Sequence, residues 1–276
     1  MDQQNLHLED GARVGVIGGG PAGSFFSIFL LDMAVRMGID IQLDIYEPRN
    51  FTLPGPGGCN MCGGIISESL VQMLAAEGIN LPPTVVQRGI DSYFLHMDVG
   101  SVRIDTPLQE KRIGAVHRGP GPRDLKEVKW GSFDGHLQDR ARDRGATVIQ
   151  KRIVNFHWVD GHPQLTPRPG EPQIYDLVAV ATGVNSSAHR LFKDLDISYQ
   201  PPTTSKTFIC EYFLGQERIN EYLGTSMHVY LLDMPRLEFA ALIPKGDYVS
   251  ICLLGEDIDD ELVQSFLNTP EVKNCF

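Results

Sequence analysis

The sequence predicts a mixed α/β protein with a parallel β-α-β unit near its start and mainly antiparallel strands towards its end. Three observations carry that expectation. A glycine-rich turn joins a short apolar strand to a helix near residue 20. A second buried strand, Asp176 to Ala181, runs into the small-residue turn Thr182-Gly183-Val184-Asn185-Ser186. After Pro201-Pro202, four strand-like segments follow one another through short turns.

Each element has a local reason. Arg13 to Ile17 carries the β-formers Val14, Val16 and Ile17. A helix is predicted from Pro21 to Met37, with Gly38 as its terminator. Ile41 to Tyr46 alternates apolar and polar residues and closes with Glu47, giving a β-α-β unit whose strands must run parallel. Ser67 is the expected N-cap of a helix over Glu68 to Glu77, ended by Gly78. From Val85 to Val116 the pattern is strand-like, with turns at Asp98-Val99-Gly100 and Asp105-Thr106-Pro107. Phe133, Leu137 and Ala141 mark an amphipathic helix from Phe133 to Arg144. Thr147 to Trp158 reads as one strand and Ile174 to Ala181 as another, with a Pro/Gly-rich turn over Asp160 to Pro172 between them. Lys206 to Leu214, Met227 to Leu232, Leu237 to Ile243 and Tyr248 to Leu254 read as antiparallel strands, the last two joined at Pro244-Lys245-Gly246-Asp247.

Composition narrows the partners. The 276 residues carry 24 basic and 35 acidic side chains, a net charge of −11, which disfavours nucleic acid and anionic membranes as partners. Five cysteines (Cys59, Cys62, Cys210, Cys252, Cys275) make a poor disulfide framework and fit a reducing, cytoplasmic setting. The apolar run Phe25 to Leu31 is too short to span a bilayer, so no transmembrane segment is expected. Peripheral contact with a membrane and the oligomeric state stay open.

Gly18-Gly19-Gly20-Pro21-Ala22-Gly23 fits the G-x-G-x-x-G pattern in the required strand-to-helix context. Gly18 permits the tight turn, Gly20 lets the backbone approach a pyrophosphate, and Gly23 allows close packing of helix on strand. The helix N-terminus then faces the phosphates. Glu47, at the end of the second strand, is placed to take both ribose hydroxyls and opposes a 2′-phosphate, so FAD or NAD is favoured there over NADP.

With the Cys62-Gly63-Gly64 turn, Ser132-Phe133-Asp134 through Gly145-Ala146, Thr182-Gly183 and the Ile243-to-Asp247 hairpin, the chain resembles the geranylgeranyl reductase branch of the FAD-dependent oxidoreductases built like p-hydroxybenzoate hydroxylase. The resemblance covers essentially the whole chain. It implies a discontinuous, Rossmann-like FAD-binding domain over 1–84 and 112–200, and a substrate sheet over 85–111 and 201–276. Gly18, Gly20, Pro21, Ala22, Gly23 and Glu47 would hold the ADP half of FAD, and Gly63 and Gly64 would lie near the isoalloxazine. Thr182-Gly183 stands where relatives carry Asp-Gly, and Thr182 adds no charge. Lys129-Trp130 replace an Arg common before Phe133, leaving Arg123 as the candidate flavin-phosphate contact. The implied reaction is reduction of carbon–carbon double bonds in an isoprenoid or other apolar small-molecule substrate, by hydride from reduced flavin, with NADPH or another donor supplying electrons. A flavin monooxygenase or halogenase on the same scaffold is the first rival, and an inactive or partial nucleotide-binding protein the second.

The pair Cys59 and Cys62 lacks a second ligand pair for structural zinc. It also lacks the second nucleotide fingerprint of a flavin disulfide reductase, absent from residues 184–230. Cys62 is therefore read either as a group beside the flavin, shaping the pocket or supplying a proton, or as a small buried thiol. The histidines show no ligand spacing and no metal site is expected. Relatives carry a later Gly-Asp segment for the ribityl phosphate, and the chain reaches Phe276 without it, so a truncated or reduced form with weakened FAD retention is expected.

Overall fold

The structure, a computed structural model, describes residues 7–53, 62–122, 130–184, 187–192, 195, 199–200 and 202–275. In chain order the elements are β1 (Ala12–Ile17), α1 (Pro21–Met37), β2 (Ile41–Tyr46), β3 (Ile65–Ile66), α2 (Glu68–Ala76), β4 (Val86–Ile90), β5 (Ser92–Met97), β6 (Gly100–Asp105), β7 (Ile113–Val116) and α3 (Phe133–Asp143). They continue with β8 (Thr147–Ile149), β9 (Arg152–Val159), β10 (His162–Arg168), β11 (Gln173–Ile174), β12 (Leu177–Val180), β13 (Thr207–Phe213), α4 (Gln216–Tyr222), β14 (Ser226–Leu231), β15 (Leu237–Lys245), β16 (Tyr248–Gly255), α5 (Asp260–Leu267) and α6 (Pro270–Lys273). No helix among the described residues is long and apolar enough to cross a membrane.

The chain forms two compact units, one of residues 1–51 with 134–203 and one of residues 52–133 with 204–276. In the first, four parallel strands run in the order β8-β2-β1-β12. The chain moves from β1 outward to β2 and β8, then returns to the other side of β1, so the connection reverses at β1. Val14, Val16 and Ile45 are fully buried, as the alternation requires. α1 turns Ser27, Ile28, Leu31 and Ala34 inward at helical spacing, and Gly38 ends it in the left-handed conformation (φ 71°), its region capping the carbonyls of Ala34 and Val35.

Three expectations fail in this unit, the first being that residues 174–181 form one strand: β11 pairs with β10 and β12 with β1, in different sheets. Residues 147–158 are not one strand: β8 joins the parallel sheet, the chain breaks at residues 150 and 151, and β9 enters a separate three-stranded antiparallel sheet, β9-β10-β11. The segment read as a Pro/Gly-rich turn contains the middle strand of that sheet, β10. Its prolines escape the usual penalty in two ways. The Pro163 carbonyl accepts the Tyr175 N–H, so the N–H it lacks would point to the short β11 side and not into the ladder with β9. At Pro167 the pairing slips between Thr166 and Pro167, a bulge of the kind that tolerates proline. Pro163, Leu165 and Pro167 alternate inward together.

The second unit centres on a six-stranded sheet, β13-β16-β15-β14-β5-β6, antiparallel throughout except where β14 and β5 run parallel. One face packs Tyr230, Leu242, Ile251 and Leu253 against α5 and α6 through Phe266 and Val272. α5 begins at Asp259, whose carboxylate accepts the Leu262 N–H at 2.9 Å. Ile90, Ile113, Ala115, Ala241 and Ile243 form a second cluster, joining this sheet to the small sheet β3-β7-β4.

Candidate functional site

In the first unit the glycine turn sits where β1 ends and α1 begins. Gly18 adopts φ 106°, and a β-carbon on it would strike the carbonyl oxygen of Ala181 and approach the Thr182 Cα to 3.1 Å. A β-carbon on Gly23 would collide with the carbonyl oxygen of Gly18. Helix, turn and the segment after β12 thus meet at van der Waals limits, with Thr182-Gly183 beside the turn. The α1 N-terminus carries no acidic residue in its first turn and no side-chain cap, so its first N–H groups and its dipole face outward together.

Glu47, 8% exposed, reaches back from the end of β2. Its Oε2 accepts the Gly19 N–H at 2.9 Å, and its Oε1 accepts the Arg49 N–H at 2.8 Å. Gly19 is held from the other side as well, its carbonyl accepting Ser24 Oγ and Gln138 Nε2, each at 3.1 Å. Gln138 comes from α3 and is a site residue that the sequence reading missed. It is a polar residue buried on the inward face of α3, where Asp134 is buried as well, but nothing in the sequence pairs it with a glycine more than a hundred residues earlier.

In the second unit the Cys62-Gly63-Gly64 turn runs against β7, β15 and β16. The Gly64 carbonyl accepts the Val116 N–H at 2.7 Å, with Gly64 at φ 68°. A β-carbon there would strike Val116 and come within 3.0 Å of Lys245 Nζ, while one on Gly63 would press on Ile243 and on Cys252 Sγ. Directly beneath lies a charged cluster that motif reading did not find. Lys245, only 1% exposed, places Nζ 3.8 Å from Glu211 Oε1, and the same oxygen is 2.9 Å from His117 Nδ1. Ser250 Oγ donates to it at 3.4 Å. His117 Nε2 is buried and has no partner among the described residues.

Burial sets the proton affinities of this cluster. It pushes the Lys245 ammonium below its ordinary value against the pull of Glu211. It lowers His117 likewise, with Glu211 opposing. For Glu211 burial acts upward, but His117 and Lys245 outweigh it and hold the carboxyl below its usual range. Cys252 is pushed up to about 12 by burial, and the charge of Cys62 is felt by both Cys252 and Lys245. Cys62 thus lies next to a buried cation and away from any described histidine ligand set. Arg123 and Cys59 lie outside the described residues.

No protein-family model matches the sequence, and no curated protein does. Solved structures do share its fold. A geranylgeranyl bacteriochlorophyll reductase-like protein from Thermoplasma acidophilum superposes with a TM-score of 0.64 at 16% identity, covering 96% of this chain and 64% of its own. A flavoprotein/dehydrogenase from Cytophaga hutchinsonii gives 0.64 at 16% identity over 97% of this chain and 63% of its own. A 2-methyl-3-hydroxypyridine-5-carboxylic acid oxygenase gives 0.60 at 17%, over 96% and 66%. The chain therefore spans less than two thirds of the first two. At such identity the likeness is one of fold: the chain shares the mixed α/β architecture of these reductase-like, flavoprotein and oxygenase chains.

Proposed function

We propose that the protein is an FAD-dependent oxidoreductase, with the carbon–carbon double bond of an isoprenoid or other apolar molecule as the group reduced. The observation that carries this reading is the junction of Gly18 to Gly23 with Glu47 at the carboxyl ends of β1 and β2, where the connection reverses and open α/β sheets take their ligands. The residues fit the cofactor: the helix N-terminus that follows the turn carries no acidic residue and no side-chain cap, and Glu47, at the end of β2, offers a carboxylate where a ribose would lie. The backbone N–H groups of Gly20, Ala22 and Gly23 would face the pyrophosphate, with Pro21, which has none, fixing the helix start and Gly18, whose N–H goes to the Tyr46 carbonyl, shaping the turn, and Glu47 would exchange its bond from Gly19 for the ribose hydroxyls. Gln138 and Ser24 would keep the Gly19 peptide oriented during that exchange. Thr182-Gly183 beside Gly18, and Arg123, complete the assigned cofactor contacts.

Bound FAD would supply a hydride donor, recharged by NADPH or another reductant. Gly63 and Gly64 would admit the ring close to backbone, and Cys62 would border it with Lys245 as the adjacent buried cation. The fold shared with an oxygenase supports a second reading, a flavin monooxygenase, equally well at this level. The test starts with colour. Purified protein incubated with FAD and desalted should retain a flavin spectrum; colourless protein overturns the assignment. Photoreduced protein mixed with a polyprenyl alkene without oxygen should reoxidise its flavin and saturate the alkene. Oxygen consumption with incorporation into an aromatic product would instead select the monooxygenase.

A further inference from the structure

The face of the second unit that carries α6 holds a polar cluster with no part in the reading above. Parallel pairing of β5 with β14 sets Phe94 beside His228 and His96 beside Tyr230, so the two histidines lie diagonally on one face. Their rings stack, centroids 5.2 Å apart, between Phe94 and Tyr230. His96 Nε2 stands 3.0 Å from His228 Nδ1, and Cys275 Sγ, brought in just after α6, is 3.5 Å from that same nitrogen. The three atoms lie within 4.8 Å of one another, and all three residues are buried.

The geometry points to a zinc site formed by His96 Nε2, His228 Nδ1 and Cys275 Sγ, with a fourth coordination position open to the adjoining cavity. The spacing is the first argument. Zinc bonds of about 2.0–2.1 Å to nitrogen and about 2.3 Å to sulfur require tetrahedral edges of roughly 3.3–3.7 Å; the sulfur–nitrogen separation of 3.5 Å lies in that range, and the nitrogen–nitrogen separation of 3.0 Å needs to open only slightly. The donor set is the second: two imidazoles and a thiolate suit a borderline-soft cation and not magnesium or calcium. The outer contacts are the third. His96 Nδ1 is 3.0 Å from Ser101 Oγ, the His228 ring also bonds the backbone of Leu223, and Tyr230 donates to Cys275 Sγ at 3.1 Å. Each ligand therefore has an outer partner of its own, and His96 Nε2 and His228 Nδ1, which now bond each other, would exchange that bond for the ion.

Binding would release one proton, that of the Cys275 thiol, to solvent. The cavity beside the cluster, about 460 Å³, is lined by Ser101, Tyr222, Glu271 and Asn274 together with the ligands. It gives zinc a path in, and room for a water or a small anionic ligand in the fourth position. Among the described residues, this is the one group of three His, Cys or carboxylate atoms close enough to share an ion.

The test needs no flavin, so its outcome is separate from that of the oxidoreductase reading. The full chain, stripped with chelator, is titrated with Co²⁺ and then Zn²⁺. One cobalt per chain with a near-ultraviolet thiolate-to-cobalt band, bleached by stoichiometric zinc, is the expected result. Cys275→Ser should lose that band, and Tyr230→Phe should keep it with zinc affinity lowered about 10-fold, a loss typical of an outer contact. Tyr230→Phe and wild type together keep the test decisive if Cys275→Ser fails to fold. A wild-type cobalt spectrum without thiolate character, or uptake of copper(I) with no zinc bound, would overturn the assignment.

Discussion

The two polar sites described in the first and second units are built on opposite plans. Around the glycine turn most contributors lie between Ala12 and Glu47, and the bonds Gly19 to Glu47 and Ser24 to Gly19 each engage a backbone group; the Gln138 bond and the close approach of Ala181 to Gly18 come from farther along the chain. In the second unit His117, Glu211, Lys245 and Ser250 come from four separate segments and meet only because β13, β15, β16 and the residue after β7 converge. The first site is made of shape and the second of compensated charge. They should therefore break differently.

The largest effect is expected where charge is buried. Glu211→Leu removes the carboxylate partner of a fully buried ammonium and should destabilise the protein by about 3–5 kcal/mol, read as a lowered urea midpoint. Adding Lys245→Met should recover most of that loss, because removing both charges also removes the cost of desolvating them. If the double variant is as unstable as the single one, the side chains matter through packing and not through charge.

This contrast explains how much was legible in the sequence. The glycine motif and Glu47 were readable because a β-α-β unit fixes their neighbours within one short stretch, and the bounds of α1 follow from Pro21 and Gly38 alone. β10 was not readable, because proline punctuates a chain only if its missing N–H matters, and Pro163 and Pro167 sit where the partner strand ends or slips. Gln138, Glu211 and Lys245 were invisible as site residues for a different reason. A buried charge looks like any surface charge until the strand register shows which face it lies on. His96 and His228 likewise show no ligand spacing along the chain, since a parallel strand pair brings them together across 132 positions.

Shape comes next in magnitude. Gly23→Ala adds one methyl that must displace the carbonyl of Gly18, so a loss of about 1–3 kcal/mol is expected, with FAD binding reduced further still. The comparison is with Gly114→Ala in the second unit, where the nearest atom to an added β-carbon is Ile66 Cβ at 3.8 Å. That variant should melt near wild type. Equal losses in the two variants, measured by thermal unfolding, would mean that the glycine turn is no tighter than an ordinary strand.

A smaller change should separate binding from stability. Glu47→Gln keeps an acceptor for the Gly19 N–H but loses the charge offered to the ribose hydroxyls. FAD affinity, followed by quenching of flavin fluorescence, should fall about 10-fold, equivalent to about 1.4 kcal/mol, while the unfolding midpoint stays close to wild type. Unchanged affinity would detach Glu47 from the cofactor and leave it as a structural acceptor for the turn.

The smallest effect is expected from His117→Gln, because it vanishes near neutrality and opens only in acid. Burial holds the folded-state proton affinity of His117 below the ordinary histidine value of about 6.5. Below that pH the unfolded chain takes up a proton that the folded chain refuses, so stability falls as pH drops towards the depressed folded value. Glu211 works in the same direction lower down: its folded value is depressed, so its contribution is present above its ordinary value and lost as pH falls through the folded one. Lys245 acts on the alkaline side, where stability should rise with pH between its depressed folded value and about 10.5. Gln at position 117 removes the first contribution and weakens the second, which lies at lower pH, because His117 is the main group that holds Glu211 down. Urea midpoints for wild type and variant, compared from pH 7 down to pH 5, should run with a shallower slope in the variant. Parallel curves would show that His117 accepts its proton as readily when folded as when unfolded, and the second site would then be less strictly a site of compensated charge than its burial implies.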